Sequence, residues 1–176
     1  MSRQKQKSVA LITGASRGIG AHLAAELWDV ADVIVICARS EEGLLKTAKA
    51  IESNGGCARC FTVDLCDSKS RGRLLEDIDE IGFLDVVVHN AGTEFAMAFE
   101  DQTREQIELQ LSLNLTVPID LTRQILPRMR QRNSGKIAFV SSMSGKTPTP
   151  YNAVYSSTKY GLNGFVASRG FELYGS

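Results

Sequence analysis

The chain has 176 residues, of which 43 % are apolar, and its 20 basic residues balance its 20 acidic ones. This length suits one domain with a substantial core, and the absence of net charge argues against nucleic acid or an anionic membrane as a partner. The start at residues 1–7 is basic and polar, and no apolar segment long enough for a signal peptide or membrane span follows, so we expect a soluble, cytoplasmic protein.

Apolar runs and turn residues predict strands that alternate with helices along the whole chain. Strands are expected at 8–13, 32–37, 57–63, 84–88 and 136–141, and helices near 18–30, 41–54, 68–81, 103–131 and 151–173. Because the strands are almost continuously apolar, the pattern favours an α/β fold with a doubly wound parallel sheet and helices on both faces. Ligands of such sheets bind beyond the carboxyl ends of the strands.

A glycine-rich turn follows the first predicted strand and precedes the first predicted helix. Its glycines, Gly14, Gly18 and Gly20, have the spacing G-x-x-x-G-x-G. Glycines let a backbone approach a pyrophosphate closely, and the N–H groups at a helix N-terminus point towards it. The turn therefore predicts a phosphate-binding cradle, although a tight connection without a ligand is the alternative.

The pair Tyr155 and Lys159 lies in the last predicted helix, four residues apart. Residues at this spacing share a helix face, so the phenol and the ammonium are expected to lie side by side. A nearby cation favours the phenolate, which makes a tyrosine a competent proton donor or acceptor. Neither Tyr151 nor Tyr160 has a lysine four residues on, so Tyr155 is the candidate acid.

Asn114 lies within the long predicted helix 103–131, four residues before Pro118. Proline has no backbone N–H, so the carbonyl of Asn114 loses its usual helical partner. A carbonyl released in this way can hold a water molecule, and an ordinary kink without a bound water is the alternative.

The order of these motifs resembles that of the short-chain dehydrogenase/reductase family, and the resemblance covers the whole chain. The matching residues are Thr13-Gly14-x-x-x-Gly18-x-Gly20, Asn90-Ala91-Gly92 after a strand, Asn114, Ser142 and Tyr155-x-x-x-Lys159. Within the family, the likeness is to 3-oxoacyl reductases and hydroxysteroid dehydrogenases. The resemblance implies a Rossmann-type fold with residues 1–176 as a single dinucleotide-binding domain. Family members continue through further strands, so the domain is expected to be incomplete at its C-terminus.

The resemblance also implies a role for each motif in hydride transfer between NADP(H) and a carbonyl or secondary alcohol. Tyr155 would donate or accept the proton, assisted by Lys159, and Ser142 would donate to the carbonyl oxygen. The backbone carbonyl of Asn114 would hold a water that links Lys159 to solvent. The cofactor-binding residues it implies are Gly14, Ser16, Arg17, Gly18, Ile19, Gly20, Arg39, Ser40, Asp64, Leu65, Asn90, Ala91, Gly92, Tyr155 and Lys159.

The end of the second strand predicts NADP(H) rather than NAD(H). An NAD site carries an acidic residue there to hold the ribose diol, whereas this strand ends Ala38-Arg39-Ser40. Arg39 and Arg17 would offer two cations to the 2′-phosphate of NADP. Asp64 follows the third strand, where it would contact the adenine amine or act only as a turn-forming acid.

No metal site is predicted, although Cys57 and Cys60 form a C-x-x-C pair. The pair lies in a predicted strand, where residues three apart face opposite sides, and a second ligand pair is missing. We therefore interpret the cysteines as structural.

The loops around the expected active site contain apolar side chains, namely Phe95, Met97, Phe99, Met143 and Tyr151. They favour a lipophilic carbonyl substrate, unless they pack on the core. Helices 103–131 and 151–173 correspond to the surfaces through which family dimers pair, so a homodimer is expected. The rival hypothesis is a truncated, catalytically inactive fragment that binds nucleotide or partners, because the fifth strand would leave an unpaired sheet edge.

Overall fold

The structure, a computed structural model, describes residues 6–174. They form two compact units. The first contains the residues up to Ala91 together with Thr122–Phe139, and the second contains Gly92–Leu121 and the residues from Val140 onward.

A parallel sheet of five strands forms the centre of the first unit, in the order β3-β2-β1-β4-β5. Its strands are β1 (Lys7–Thr13), β2 (Val33–Ala38), β3 (Ala58–Thr62), β4 (Gly82–His89) and β5 (Lys136–Phe139). Strand order reverses between β1 and β4, so the chain winds outward in both directions from the middle of the sheet. The predicted doubly wound Rossmann-type sheet is confirmed.

Burial along the strands explains why these segments pair. Every residue of β2 is buried, and so are residues 9–13 of β1, as expected for inner strands of a sheet covered on both faces. In contrast, β5 alternates exposed and half-buried residues and lies at the edge of the sheet. The prediction that the fifth strand is an edge strand is therefore confirmed for the part of the chain that the structure describes.

Three helices of the first unit are α1 (Gly18–Glu26), α2 (Glu41–Ser53) and α3 (Ser68–Ile81). Ser40 caps α2 by accepting from Gly43 N, and Asp67 caps α3 by accepting from the N–H groups of Lys69 and Ser70. Right-handed crossovers and the reversed strand order place α1 and α2 on one sheet face and α3 on the other. This arrangement leaves the carboxyl ends of β1 and β4 side by side.

The second unit is mainly helical. The predicted helix 103–131, of which residues 103–121 belong to this unit and residues 122–131 to the first, needs a correction. Helix 103–131 is not continuous: α4 (Arg104–Leu111) is followed by a π-helical turn (Ser112–Thr116) and then by α5 (Val117–Arg132). The π turn follows from Pro118, which cannot donate to the Asn114 carbonyl. The N–H of Val117 instead reaches the Ser112 carbonyl five residues back.

Other element boundaries also move from their predicted positions. The predicted helix 18–30 ends at Glu26, because the chain turns at Leu27 so that Asp32 can accept hydrogen bonds from Ser8 at the start of β1. The last helix, α6, spans Ala153–Tyr174 rather than starting at 151, because Tyr151 adopts a left-handed φ of 61°. Within residues 6–174, no helix combines the length and apolar character that crossing a bilayer requires.

Candidate active site

The glycine turn of the first unit is built by close packing against the end of β4. Gly14 has a φ of +67°, and a Cβ on it would lie 2.7 Å from Ala91 Cα. A Cβ on Gly20 would lie 2.5 Å from the Gly14 carbonyl oxygen and would also clash with Asn90 Nδ2. Both glycines are therefore required by the protein itself, since a side chain at either position would push the turn off β4.

Hydrogen bonds fasten this turn to the strand beside it. Asn90 Nδ2 donates to the carbonyls of Thr13 at 2.9 Å and Gly14 at 3.1 Å. The Thr13 hydroxyl oxygen accepts from the backbone N–H groups of Asn90 and Ala91, each at 3.0 Å, and donates to the Val88 carbonyl. Thr13 and Asn90 thus join the carboxyl ends of β1 and β4.

The N-terminus of α1 has the features that a pyrophosphate needs. Arg17 is the N-cap residue and makes no side-chain cap, and the first turn contains no acidic residue. The N–H groups of that turn lack intrahelical partners and point away from the helix. Gly18 has a φ of +58° and no atom within 4 Å of where a Cβ would lie. The turn therefore fits a dinucleotide phosphate.

The remaining predicted cofactor residues of the first unit differ in what they can offer. Ile19, in the first turn of α1, leaves 64 % of its surface exposed, which packing within the unit does not explain. The Ser40 hydroxyl caps α2, Asp64 Oδ1 accepts from Cys66 N in a local turn, and Ser16 packs against Gly43. Leu65 is buried, so only its backbone can face a ligand.

Arg17 and Arg39 are both exposed. Neither guanidinium forms a hydrogen bond or an ion pair with any residue in the described range 6–174. These two cations are therefore available to an anionic ligand of the first unit.

Tyr155 and Lys159 lie side by side on α6 in the second unit, as their spacing predicts. Lys159 Nζ lies 5.6 Å from the centre of the Tyr155 ring and donates to the Val140 carbonyl at 2.9 Å. Lys159 is buried, and desolvation lowers the pKa of its ammonium below the ordinary value. The bond to Val140 fixes the ammonium close to the phenol.

Asn114 lies in the π turn and is almost completely buried. Its Oδ1 accepts from Thr93 N at 2.8 Å, and its Nδ2 donates to the Thr93 carbonyl at 2.8 Å and to Thr158 Oγ1 at 3.3 Å. The side chain is therefore fully used in joining the loop at Thr93 to α6. Only the backbone carbonyl is left for the water-binding role that was predicted for Asn114.

Ser142 immediately precedes a short 3₁₀ turn, Met143–Gly145. Its hydroxyl oxygen accepts from Ser144 N at 3.1 Å, which leaves the hydroxyl hydrogen to be donated elsewhere. The turn packs on α6, where Asn163 Nδ2 donates to the Gly145 carbonyl at 2.9 Å. The second unit thus contains all four predicted catalytic residues, whereas Gly92 is the only predicted cofactor residue, other than Tyr155 and Lys159, that belongs to it.

His89 is a residue of the first unit whose burial is not evident from the sequence. It ends β4, next to Asn90, with its ring 4.8 Å from that of Phe139 and its Nε2 3.1 Å from Thr122 Oγ1. Burial lowers the pKa of His89 to about 4. The imidazole is therefore neutral near pH 7.

This burial predicts that acid destabilises the protein. Between pH 6.5 and 4, the unfolded chain binds a proton that folded His89 does not, so the stability present above pH 6.5 falls by about 3 kcal/mol as the pH approaches 4. In urea titrations at pH 7, 5.5 and 4, His89→Gln should lose less stability than the wild type. The control is His22→Gln, which changes the exposed histidine of α1 and should follow the wild type. Equal pH dependence in all three proteins would contradict the assignment.

Among the described residues, no three His, Cys, Asp or Glu side chains are grouped so that they could hold a metal ion. All four cysteines, Cys37, Cys57, Cys60 and Cys66, are unpaired thiols. Burial raises the pKa of the Cys37 thiol to about 12, so this thiol is unreactive.

The family model described as short chain dehydrogenase matches residues 8–176. A ketoacyl reductase, HetN, from Nostoc sp. is 34 % identical over 167 residues, which cover 94 % of this chain. The match spans only 58 % of that relative's length.

The fold is shared with solved structures of other proteins. A metagenomic short-chain oxidoreductase in complex with NADP superposes with a TM-score of 0.89 at 33 % identity, covering 95 % of this chain and 76 % of the other. An actinorhodin polyketide ketoreductase with NADPH also gives a TM-score of 0.89, at 34 % identity, covering 94 % of this chain and 65 % of the other.

Proposed function

This chain belongs to the short-chain dehydrogenase/reductase family, and we propose that it is an NADP(H)-dependent oxidoreductase that reduces a carbonyl or oxidises a secondary alcohol. The observation that carries the proposal is the pair on α6, where the Lys159 ammonium is fixed beside the Tyr155 phenol. A buried cation next to a phenol is suited to proton transfer rather than to structure alone, because burying a charge costs free energy.

The proposed mechanism assigns one task to each of the four catalytic residues. A reduced nicotinamide, when bound, would supply the hydride for the carbonyl carbon. The Tyr155 O–H bond breaks as its proton passes to the developing alkoxide, and the adjacent Lys159 ammonium stabilises the phenolate that remains. Ser142 donates its hydroxyl hydrogen to the carbonyl oxygen, and the Asn114 carbonyl holds the water from which the proton is resupplied.

The preference for NADP(H) is supported by the charges of the first unit. Arg17 and Arg39 are exposed and unpartnered within the described residues, and no carboxylate follows β2 directly. A guanidinium pairs well with a phosphate, whereas a ribose diol calls for an acidic acceptor. The NADP and NADPH complexes of the two similar structures agree with this choice.

Fluorescence titration of the purified protein with NADPH and NADH tests the cofactor site directly. We expect NADPH to bind at least about tenfold more tightly, and Arg39→Asp to remove or reverse that preference, since it replaces a phosphate-binding cation with a diol acceptor. Arg73→Asp, on an exposed face of α3, is the charge-matched control and should keep the preference for NADPH. If neither nucleotide binds, the proposed function is wrong. If NADPH selectivity survives in Arg39→Asp, only the role of Arg39 is wrong.

The proposal includes a lipophilic substrate. Met143, directly after Ser142, is 72 % exposed, and Tyr151, one helical turn before Tyr155, is 69 % exposed. Both residues lie between β5 and α6. This segment is joined to the loop that contains Met97, because Met97 N donates to the Tyr151 carbonyl at 3.0 Å. Ketones graded by the size of their apolar substituent should therefore show kcat/KM rising with that size, and a flat series would refute a lipophilic pocket.

A homodimer through helices 103–131 and 151–173 is also part of the proposal. On α6, Tyr160, Gly164, Ala167 and Phe171 recur at helical spacing and are all exposed, with Phe171 at 81 %. An apolar stripe of this kind is suited to pairing with a second copy. Sedimentation equilibrium would show twice the monomer mass if this is right, and the monomer mass if it is not.

A further inference from the structure

One face of α6 carries polar side chains along its length. Asn152, which directly precedes the helix, and Ser156, Lys159 and Asn163 recur at positions i, i+4, i+7 and i+11, so they form a single row. Asn152, Ser156 and Lys159 are each more than nine-tenths buried. A buried row of this kind must satisfy its polar atoms internally.

The C-terminal half of the row, Lys159 and Asn163, is hydrogen-bonded within the second unit. Asn163 Oδ1 accepts from Ser141 Oγ at 2.7 Å, and Asn163 Nδ2 donates to the Gly145 carbonyl at 2.9 Å. Lys159 Nζ donates to the Val140 carbonyl at 2.9 Å. The loop between β5 and α6 therefore supplies partners for this part of the row.

Two atoms in the N-terminal half of the row have no such partner. Ser156 Oγ and Asn152 Oδ1 are buried, and neither makes a hydrogen bond to any described residue. They belong to successive turns of the same face, so one small molecule can reach both. Unpaired buried polar atoms of this kind are typically joined by an internal water, which makes about three hydrogen bonds.

The ammonium of Lys159 is suited to be the third partner. Helical side chains lean towards the helix N-terminus, so Lys159 extends back over the turn that carries Ser156. An ammonium has three N–H donors. The bond to Val140 uses one of them, and the water proposed at the Asn114 carbonyl takes a second, so one donor is left for another water.

We propose that Ser156 Oγ and Asn152 Oδ1 hold a buried water that accepts a hydrogen bond from Lys159 Nζ and keeps the ammonium beside Tyr155. Ser156 and Asn152 are thus positioning residues that act through this water. This water site is distinct from the one proposed at the Asn114 carbonyl. Asn114 contacts Thr158, which lies on a different side of α6 from the row. The consequence for turnover depends on the proposed oxidoreductase function, whereas the water site itself does not.

Thermal unfolding of Ser156→Ala tests whether the site holds water. If the two atoms are simply unpaired, removing one of them relieves an unfavourable group and the Tm rises. If they hold a water, the variant loses the hydrogen bond between Ser156 and this water, and the Tm falls. Ser157→Ala is the matched control, since it makes the same change one residue along, at an exposed position whose hydroxyl bonds only the Val154 carbonyl. We expect a lower Tm for Ser156→Ala than for Ser157→Ala, and the reverse order would overturn the proposal.

Steady-state kinetics test whether the water positions Lys159. Ser156→Ala should lower kcat by about tenfold, because the ammonium is displaced from Tyr155, and should raise the KM for NADPH by a smaller factor, because Lys159 is only one of the proposed cofactor-binding residues and most of the others belong to the first unit. Ser156→Thr, which keeps a hydroxyl, should recover most of the kcat. Unchanged kcat in Ser156→Ala would overturn the positioning role. If the wild type reduces no carbonyl, the proposed function fails, but the order of the two Tm values still decides whether water is bound.

Discussion

Tyr155→Phe is expected to lower kcat for carbonyl reduction by about 10³-fold while changing NADPH affinity far less, because most of the proposed cofactor-binding residues belong to the first unit. The substitution removes the hydroxyl that we propose as the proton donor but keeps the ring that packs beside Lys159 on α6. The measurement is NADPH oxidation at saturating ketone, together with a binding titration. A preserved dissociation constant would show that the loss is chemical and not a failure to fold.

The matched control for this substitution is Tyr160→Phe. Tyr160 lies on the same helix and is exposed, but no lysine follows it four residues later. This variant should retain wild-type turnover. If Tyr155→Phe keeps more than about a tenth of the wild-type kcat, Tyr155 is not the principal acid and the proposed mechanism must be abandoned.

Gly20→Ala is expected to have the largest effect on stability. The added methyl group would lie 2.5 Å from the Gly14 carbonyl oxygen and would also meet Asn90 Nδ2, so backbone rather than a flexible side chain must move. Overpacking of this kind costs about 3 kcal/mol when the surroundings cannot relax. Urea unfolding should show this loss, and NADPH binding should weaken because the phosphate turn is displaced from β4.

Two other glycines provide controls, one expected to lower the stability slightly and one expected to raise it. Gly18 has open space around it but a φ of +58°, so Gly18→Ala should cost only about 1 kcal/mol. Gly72, inside α3, has neither close contacts nor a positive φ, so Gly72→Ala should stabilise the protein by about 0.5–1 kcal/mol. A loss for Gly20→Ala no larger than that for Gly18→Ala would show that the contact with Gly14 is not limiting.

The sheet was predictable from the sequence because its inner strands are buried on both faces. The apolar runs 8–13 and 32–37 leave little alternative to strands, and they correspond to β1 and β2 with shifts of one residue. The start of α6 was harder to predict from the sequence. The carbonyl of Tyr151, whose backbone is left-handed, accepts a hydrogen bond from Met97, some fifty residues earlier, and no local sequence pattern indicates this contact.

The proximity of the proposed catalytic pair was predictable because helical spacing alone brings Tyr155 and Lys159 together. The hydrogen bonds that fix Lys159 and Asn114 were not predictable, because the partner groups are distant in sequence and belong to the backbone. Lys159 bonds the Val140 carbonyl, and the Asn114 side chain bonds the backbone of Thr93. Pro118 indicated a disturbance of the helix, but it did not show that the disturbance would be a π turn with a buried asparagine.

The hydrogen bonds between Thr13 and Asn90 bear on the affinity of the protein for a nucleotide. Because these hydrogen bonds and the close contacts of Gly14 and Gly20 belong to the folded first unit, the shape of the turn is determined before any ligand arrives. The conformational entropy of ordering the turn is then lost during folding and not during association. If the turn binds phosphate as proposed, recognition is a rigid docking event, in which the affinity reflects the contacts made and no loop has to close.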